Sequence, residues 1–255
     1  MDSPAALAAK NFIMELAKIC PVLLGRGTDL HDFDSLEMFR GLANVMVVSD
    51  VRQMFFKKAF GFCSVEGEIP GAKPDAVISC LPSLSKAFLL SVGVKHDAAE
   101  NETVRLVEEV VRGWGIANRK WRKQGVVTIV AGHGTVAGAV SSTGHVMVGH
   151  DLTYGKETLE AADADLVVFG HIHKAQKTGP AWFCGSIARL NNGENEAKGF
   201  YLGDLEAGKK ATLTFIVTTP ERIVVDIDLG EDPADWEAKL QERVKGIPEG
   251  ALIKV

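Results

Sequence analysis

The stretch Ala162–Gln176, ADADLVVFGHIHKAQ, decides how this chain is read. An apolar run, Leu166–Phe169, stops at Gly170, and His171 and His173 follow one residue apart. A short apolar run between polar neighbours predicts a strand buried on both faces, as in a parallel sheet. A glycine at its end allows a turn or a close approach of another group. In open α/β sheets, ligands collect outside the carboxyl ends of the strands. Two of the chain's seven histidines therefore stand at the mouth of a core strand.

The same grammar recurs on either side. VVTIVAG, Val126–Gly132, is a buried strand that runs into His133. PVLLG, Pro21–Gly25, is another, and the polar loop RGTDLHDF follows it. NVMVVSD (Asn44–Asp50) and AVISCLP (Ala76–Pro82) read as strands, and the Gly- and Phe-rich segment Val51–Pro74 as hairpin-like strands. A first helix runs from a Ser3 N-cap to Ile19 and stops before Pro21. Asp34–Glu37 is a capping-box-like start for a second, short helix.

Ala98 to about Gln124 is a long helix with Val104, Leu106, Val107, Val110 and Val111 as its expected apolar face. KETLEAADA is another helix. AWFCGS, GFYLGDL and ATLTFIV read as strands, and the tail from Arg222 as strand, turn, helix, turn, strand. The pattern predicts an α/β chain in which a sheet packs on a sheet with helices outside.

Composition removes several classes. The chain of 255 residues with 46% hydrophobic content can bury a sizeable core. A net charge of −5 advertises no general affinity for nucleic acid, so any such contact would be local. The basic run NRKWRKQ, Asn118–Gln124, is the one local cluster, and a solvated helix end is its commoner meaning. No run approaches the roughly 20 apolar residues of a membrane helix, and Met1–Phe12 lacks the layout of a signal peptide. The four cysteines form no C-x-x-C pair and read as free thiols in a reducing, cytoplasmic compartment.

A lone histidine at a strand end is usually a satisfied polar residue, which is how His96, His145 and His150 are read. Three loops at the same sheet edge are different. They would bring His31, Asp32, His133, His171 and His173 together, with glycines leaving the backbone open. Neutral imidazoles suit Mn²⁺, Fe²⁺ and Zn²⁺. In extended backbone the i, i+2 spacing of His171 and His173 puts both rings on one side.

These residues resemble the calcineurin-like metallophosphoesterases. VVFGHIHKAQ is similar to that family's last motif, G-H-x-H, and IVAGHGTVAGA to its single-histidine motif. FCGSIARLNNGENEAKGFYLGDLE and CLPSLSK resemble the SbcD-type DNA double-strand-break nucleases, where a G-S-x-x-R, a later Glu and a Gly-Phe recur. The resemblance covers roughly Leu16–Leu205.

It implies an αββα sandwich of two mixed sheets flanked by helices. Residues 1–219 would be the metallophosphoesterase domain and 220–255 the start of a small α+β capping domain. Two divalent ions, expected to be Mn²⁺ with Fe²⁺ or Zn²⁺ as alternatives, would activate water for in-line attack on a phosphodiester. His133 and His171 would hold one ion and His173 the other. His31 would face the phosphate, with Asp32 beside it in the catalytic role. Gly132, Gly170 and Ser186 would lie against substrate. Implied partners are DNA and a coiled-coil SbcC-type ATPase, with a homodimer left open and no membrane.

The chain departs from the family pattern in two places. In the third motif, Thr28 stands where the family has Asn, so Thr28, Asp29, His31 and Asp32 remain open as its ligands. The first two motifs, D-x-H and G-D-x-x-D, do not occur before Arg26. They supply the carboxylate that screens two close cations. Their absence predicts a crippled site in residues 1–255 and an N-terminus omitted from them. Two other functions stay in play: a metallophosphoesterase acting on nucleotides or phosphoproteins, and a non-catalytic DNA-binding or scaffold remnant.

Overall fold

A computed structural model of the chain describes residues 4–28, 35–64, 73–84, 99–142, 153–189, 194, 196–218, 224–230, 233–247, 249 and 251–254. The first helix, α1 (Pro4–Ile19), leads into β1 (Val22–Gly25), and β1 pairs in parallel with β2 (Val45–Val48). Asn44 ties the two elements together by donating to the Ala17 carbonyl at 3.1 Å. The Ser35–Phe39 segment between the strands is a short 3-10 helix. The Asp34 cap expected for it lies outside the described residues.

The larger sheet contains β3 (Arg52–Lys57), β4 (Gly61–Ser64), β5 (Ala76–Leu81), β6 (Val127–His133), β9 (Leu166–Gly170), β10 (Gln176–Thr178) and β11 (Ala181–Phe183). Its order is β10-β11-β9-β6-β5-β3-β4. β5, β6, β9 and β11 are parallel neighbours, and the remaining pairs are antiparallel. Of the expected buried strands, β5, β6 and β9 are thus the centre of this sheet, and β5 is buried along its whole length, whereas Pro21–Gly25 gives β1 in the separate pair with only Val22 buried. The chain is α/β with a mixed seven-stranded sheet and helices.

One face of the sheet is covered by α2 (Ala99–Lys123) and α3 (Lys156–Ala161). Val107, Val111 and Trp114 of α2 are buried against Val130, Val167, Phe169 and Phe183. The expected apolar face of this helix needs correcting. Leu106 is 47% exposed and Val110 is 39% exposed, whereas the buried stripe runs Val107, Val111, Trp114, Asn118. Steps of 4, 3 and 4 follow one side of a 3.6-residue helix, and adjacent valines cannot both lie on it. The buried Asn118 donates to the Ala162 carbonyl at 2.7 Å, which locks α2 to the end of α3. The helices approach so closely that a Cβ on Gly115 would stand 2.0 Å from the Ala161 carbonyl oxygen.

The basic run at the end of α2 works inward. Arg119 and Arg122 pair with Asp163, and Arg122 also reaches Asp165 at 3.2 Å. Asp165 is buried and accepts from the Thr128 backbone N–H, the Thr128 hydroxyl and the Gly208 N–H. These bonds pin the start of β9 beside β6, which sets where its other end emerges.

The opposite face meets the β1–β2 pair. Val48, with Leu23 and Met46 partly buried, packs on Met54, Ile78 and Cys80 of the large sheet. Three further two-stranded pairs complete the described structure: β7 (Thr135–Val136) with β8 (Thr153–Tyr154), β12 (Gly199–Leu202) with β13 (Thr214–Val217), and β14 (Val224–Asp226) with β15 (Leu252–Lys254). Between the last two lies α4 (Trp236–Arg243). The tail therefore has the strand, helix, strand order read from its sequence. β10 was not anticipated, because Gln176–Thr178 carries no apolar alternation. Among the described residues, no helix is long and apolar enough to cross a membrane.

Candidate functional site

β6 and β9 are hydrogen-bonded neighbours whose register pairs His133 with Gly170. This puts His133 and His171 at the same carboxyl edge. Their rings lie 5.4 Å apart, centroid to centroid, at 67°. Two imidazoles that share one tetrahedral ion at about 2.1 Å have centroids roughly 5 Å apart, so the spacing suits a pair of ligands to a single ion. Among the described residues, no three His, Cys, Asp or Glu side chains gather closely enough to cage an ion. The pair is thus the described part of any such centre.

His171 does not sit in extended backbone. Its φ is 96°, a region that non-glycine residues adopt rarely and at a cost of about 1–3 kcal/mol. β9 ends one residue earlier, at Gly170. The extended backbone on which the i, i+2 expectation for His171 and His173 rested is therefore not present at His171. His171 meets His133, while His173 is bound elsewhere. The His173 Nδ1 lies 2.9 Å from the Glu194 carboxylate, and its backbone carbonyl accepts from Ser186 N–H at 3.1 Å and from Lys198 at 3.0 Å.

The glycines also have a different role from the open one expected of them. A Cβ on Gly132 would stand 2.4 Å from the Phe169 ring, and one on Gly170 would stand 2.8 Å from His133 Nδ1. Both spaces are filled by side chains. Gly170 is what lets the His133 ring lie across the strand end. Gly185, at φ 75°, passes against the His173 carbonyl, where a Cβ would meet the oxygen at 2.6 Å.

The β1 loop arrives at the same edge. A cleft of about 250 Å³ opens between the two sheet layers, with Gly25 and Arg26 on one side and Gly132, His133 and Gly170 on the other. Its floor is apolar, with Leu23, Val48, Ala131 and Phe169 among the lining residues. Thr28, beyond Arg26, is buried. Asp29, His31 and Asp32 lie outside the described residues, as do His96, His145 and His150. So the structure brings together Gly25, Arg26, His133, Gly132, Gly170 and His171, and fastens His173 to Glu194.

The G-S-x-x-R segment adds two buried polar atoms without a hydrogen-bond partner, Ser186 Oγ and Arg189 Nε. Most buried polar atoms are satisfied, so two orphans in one short segment are notable.

The thiols are poor candidates for chemistry. Burial pushes Cys80 up to about 12 and also raises Cys184, which leaves both protonated near neutral pH. Sequence reading attached no role to Glu194, Glu196 or Lys198. The available signal was the later Glu of the SbcD-type pattern after G-S-x-x-R, which falls in NNGENEAKGF, Asn191–Phe200. No protein-family model matches the chain, and no curated protein matches it.

Proposed function

We propose that this chain is a divalent-metal-dependent phosphodiesterase of the calcineurin-like class, and within it a DNA nuclease subunit of the SbcD type. The facing pair of His133 and His171 at the ends of adjacent parallel strands carries the reading. Support also comes from His173, whose Nδ1 is taken up by a carboxylate, as is usual for imidazoles that bind metal through the other nitrogen. The orphaned Ser186 and Arg189 atoms suit a polyanionic substrate. In this reading the β1–β2 layer on the large sheet is the second sheet of an αββα sandwich. Residues 1–219 form the hydrolase domain and 220–255 begin the capping domain.

His133 and His171 would hold one ion and His173 the second, with Mn²⁺ the preferred metal and Fe²⁺ or Zn²⁺ alternatives. Bound metal would supply an activated water and neutralise the phosphate charge. The protein's own part is orientation. Strand register fixes His133 beside His171, Gly170 clears the space between strand end and ring, and the apolar cleft floor excludes water from below. Thr28 and the 29–32 loop would complete the site from the β1 side, with His31 facing the phosphate beside Asp32. A coiled-coil SbcC-type ATPase and DNA are the proposed partners, in the cytoplasm.

Hydrolysis of bis-p-nitrophenyl phosphate and of duplex DNA ends with Mn²⁺ tests the reading. With the D-x-H and G-D-x-x-D carboxylates missing before Arg26, it predicts weak Mn²⁺ binding that His133→Ala and His171→Ala abolish, and little turnover; robust cleavage would refute the crippled site. Cleavage of the small diester but not of DNA would redirect it to a nucleotide or phosphoprotein substrate.

A further inference from the structure

We infer that Glu194, held by the buried Lys198, is a positioning residue that fixes the His173 imidazole in its Nδ1-protonated tautomer and leaves Nε2 as the bare, metal-binding nitrogen. This rests on the metallophosphoesterase reading for its use of Nε2, but the clamp itself is a property of the unliganded protein.

The argument starts from hydrogen-bond counting. Lys198 is 3% exposed and Glu194 2% exposed, so both would be costly to bury alone. The Lys198 ammonium has three donors and no acceptor. All three are taken: Glu194 Oε2 at 2.6 Å, Glu196 Oε1 at 2.7 Å and the His173 carbonyl at 3.0 Å. One Glu194 oxygen is thereby occupied by Lys198, and the other, Oε1, lies 2.9 Å from His173 Nδ1. An ionised carboxylate can only accept, so the proton of that bond must be on Nδ1. In a neutral imidazole the lone pair is then on Nε2.

Two carboxylates against one ammonium leave the group with one net negative charge beside the ring, which favours the N–H pointing at it. The same Glu196 oxygen also accepts from the Ser142 hydroxyl at 2.8 Å, which ties the group to a further segment. His173 is thus gripped at ring and main chain by the same lysine–glutamate unit, while its side chain stays 42% exposed. A merely structural ion pair would have no reason to face an exposed ring. The nearby positive-φ residue His171 and the Gly185 contact constrain the backbone from which that ring projects.

The test uses the whole chain with ¹⁵N-labelled histidine at pH 8, where imidazoles are neutral. Long-range ¹H–¹⁵N spectra should show His173 as the Nδ1–H tautomer in the metal-free protein. An Nε2–H tautomer there overturns the inference. Glu194→Gln removes the charge but keeps the shape, and it should give a mixture of tautomers. Mn²⁺ titrated against it and followed by EPR should bind about 10–100-fold more weakly than to the unaltered protein. Affinity within twofold of the unaltered protein overturns the positioning role. Glu194→Asp should recover part of the affinity, which a packing role alone would not produce. If Glu194→Gln fails to fold, the spectrum of the unaltered protein still decides the tautomer. An Nδ1–H ring in a protein that binds no Mn²⁺ upholds the clamp and overturns the metal reading instead.

Discussion

One face of the seven-stranded sheet lies under α2 and α3, the other under β1 and β2, and the two are packed to different degrees. On the helix side Val111, Val130, Phe183 and Ala181 have no exposed surface. On the β1–β2 side Leu23, Met46, Ile129 and Ala131 remain partly exposed, and a cleft of about 250 Å³ runs between the layers. Both faces are apolar, so hydrophobicity does not account for the difference. Packing does: Val107, Val111 and Trp114 of α2 seal their face, whereas a cleft leaves part of the β1–β2 face open among the described residues. The site sits where the two regimes meet, with His133 held by the packed side and Arg26 carried in by the loose one.

The sharpest way to break this comparison is to remove volume from each side. Phe183→Ala should cost about 3–5 kcal/mol, because the ring is fully enclosed and its cavity cannot collapse. Leu23→Ala should cost only about 1–2 kcal/mol, below the usual range for buried leucine, since part of it already faces the cleft. Urea denaturation of both variants measures the contrast, and equal losses would refute it.

The glycines probe the same contrast at smaller scale. Gly132→Ala drives a methyl into the Phe169 ring and should destabilise by about 1–3 kcal/mol. Gly25→Ala, in β1, meets nothing within 4 Å and should stay within about 0.5 kcal/mol of neutral. Thermal melts of the pair would show whether the loose layer is as permissive as its geometry says.

Thiol labelling separates the regions without mutation. Cys20, exposed after α1, should react with Ellman's reagent first at pH 8. Cys80, buried between the layers and pushed up to about 12, should react last and only as the protein opens. Early labelling of Cys80 would mean that the β1–β2 layer lifts off readily.

The smallest effect is on acid stability. Burial opposes ionisation of Glu196, but hydrogen bonds from Lys198 and Ser142 outweigh it and lower its pKa below the ordinary 4.5. A lowered folded value contributes stability that is fully present above pH 4.5 and is lost as pH falls through the folded pKa. Glu196→Gln should therefore flatten the acid limb of the stability curve modestly below that pH. Asp75, also lowered by the Lys58 N–H and Lys57, is so exposed that Asp75→Asn should change the same limb less.

Much of this architecture was legible. Apolar runs bounded by glycine or proline gave β1, β5, β6 and β9 with ends close to those observed, and the periodic stretch gave α2. The inner face of α2 was misjudged at Leu106 and Val110, since five apolar residues offer more than one stripe and only packing selects it. At the site, His133, His171 and their strand ends were legible from the run-then-histidine pattern. The break from extended backbone at His171 was not, because it depends on a positive φ that the residue types do not announce.

The sequence by itself determined which segments are strand or helix and which histidines stand at strand ends, because period and punctuation are local properties of the chain. Only the tertiary structure decided that His133 and His171 face one another and that His173 answers to Glu194, 21 residues further on. Sheet register and a buried ion pair are made by groups that meet only after folding, and spacing along the chain does not encode which of them will meet.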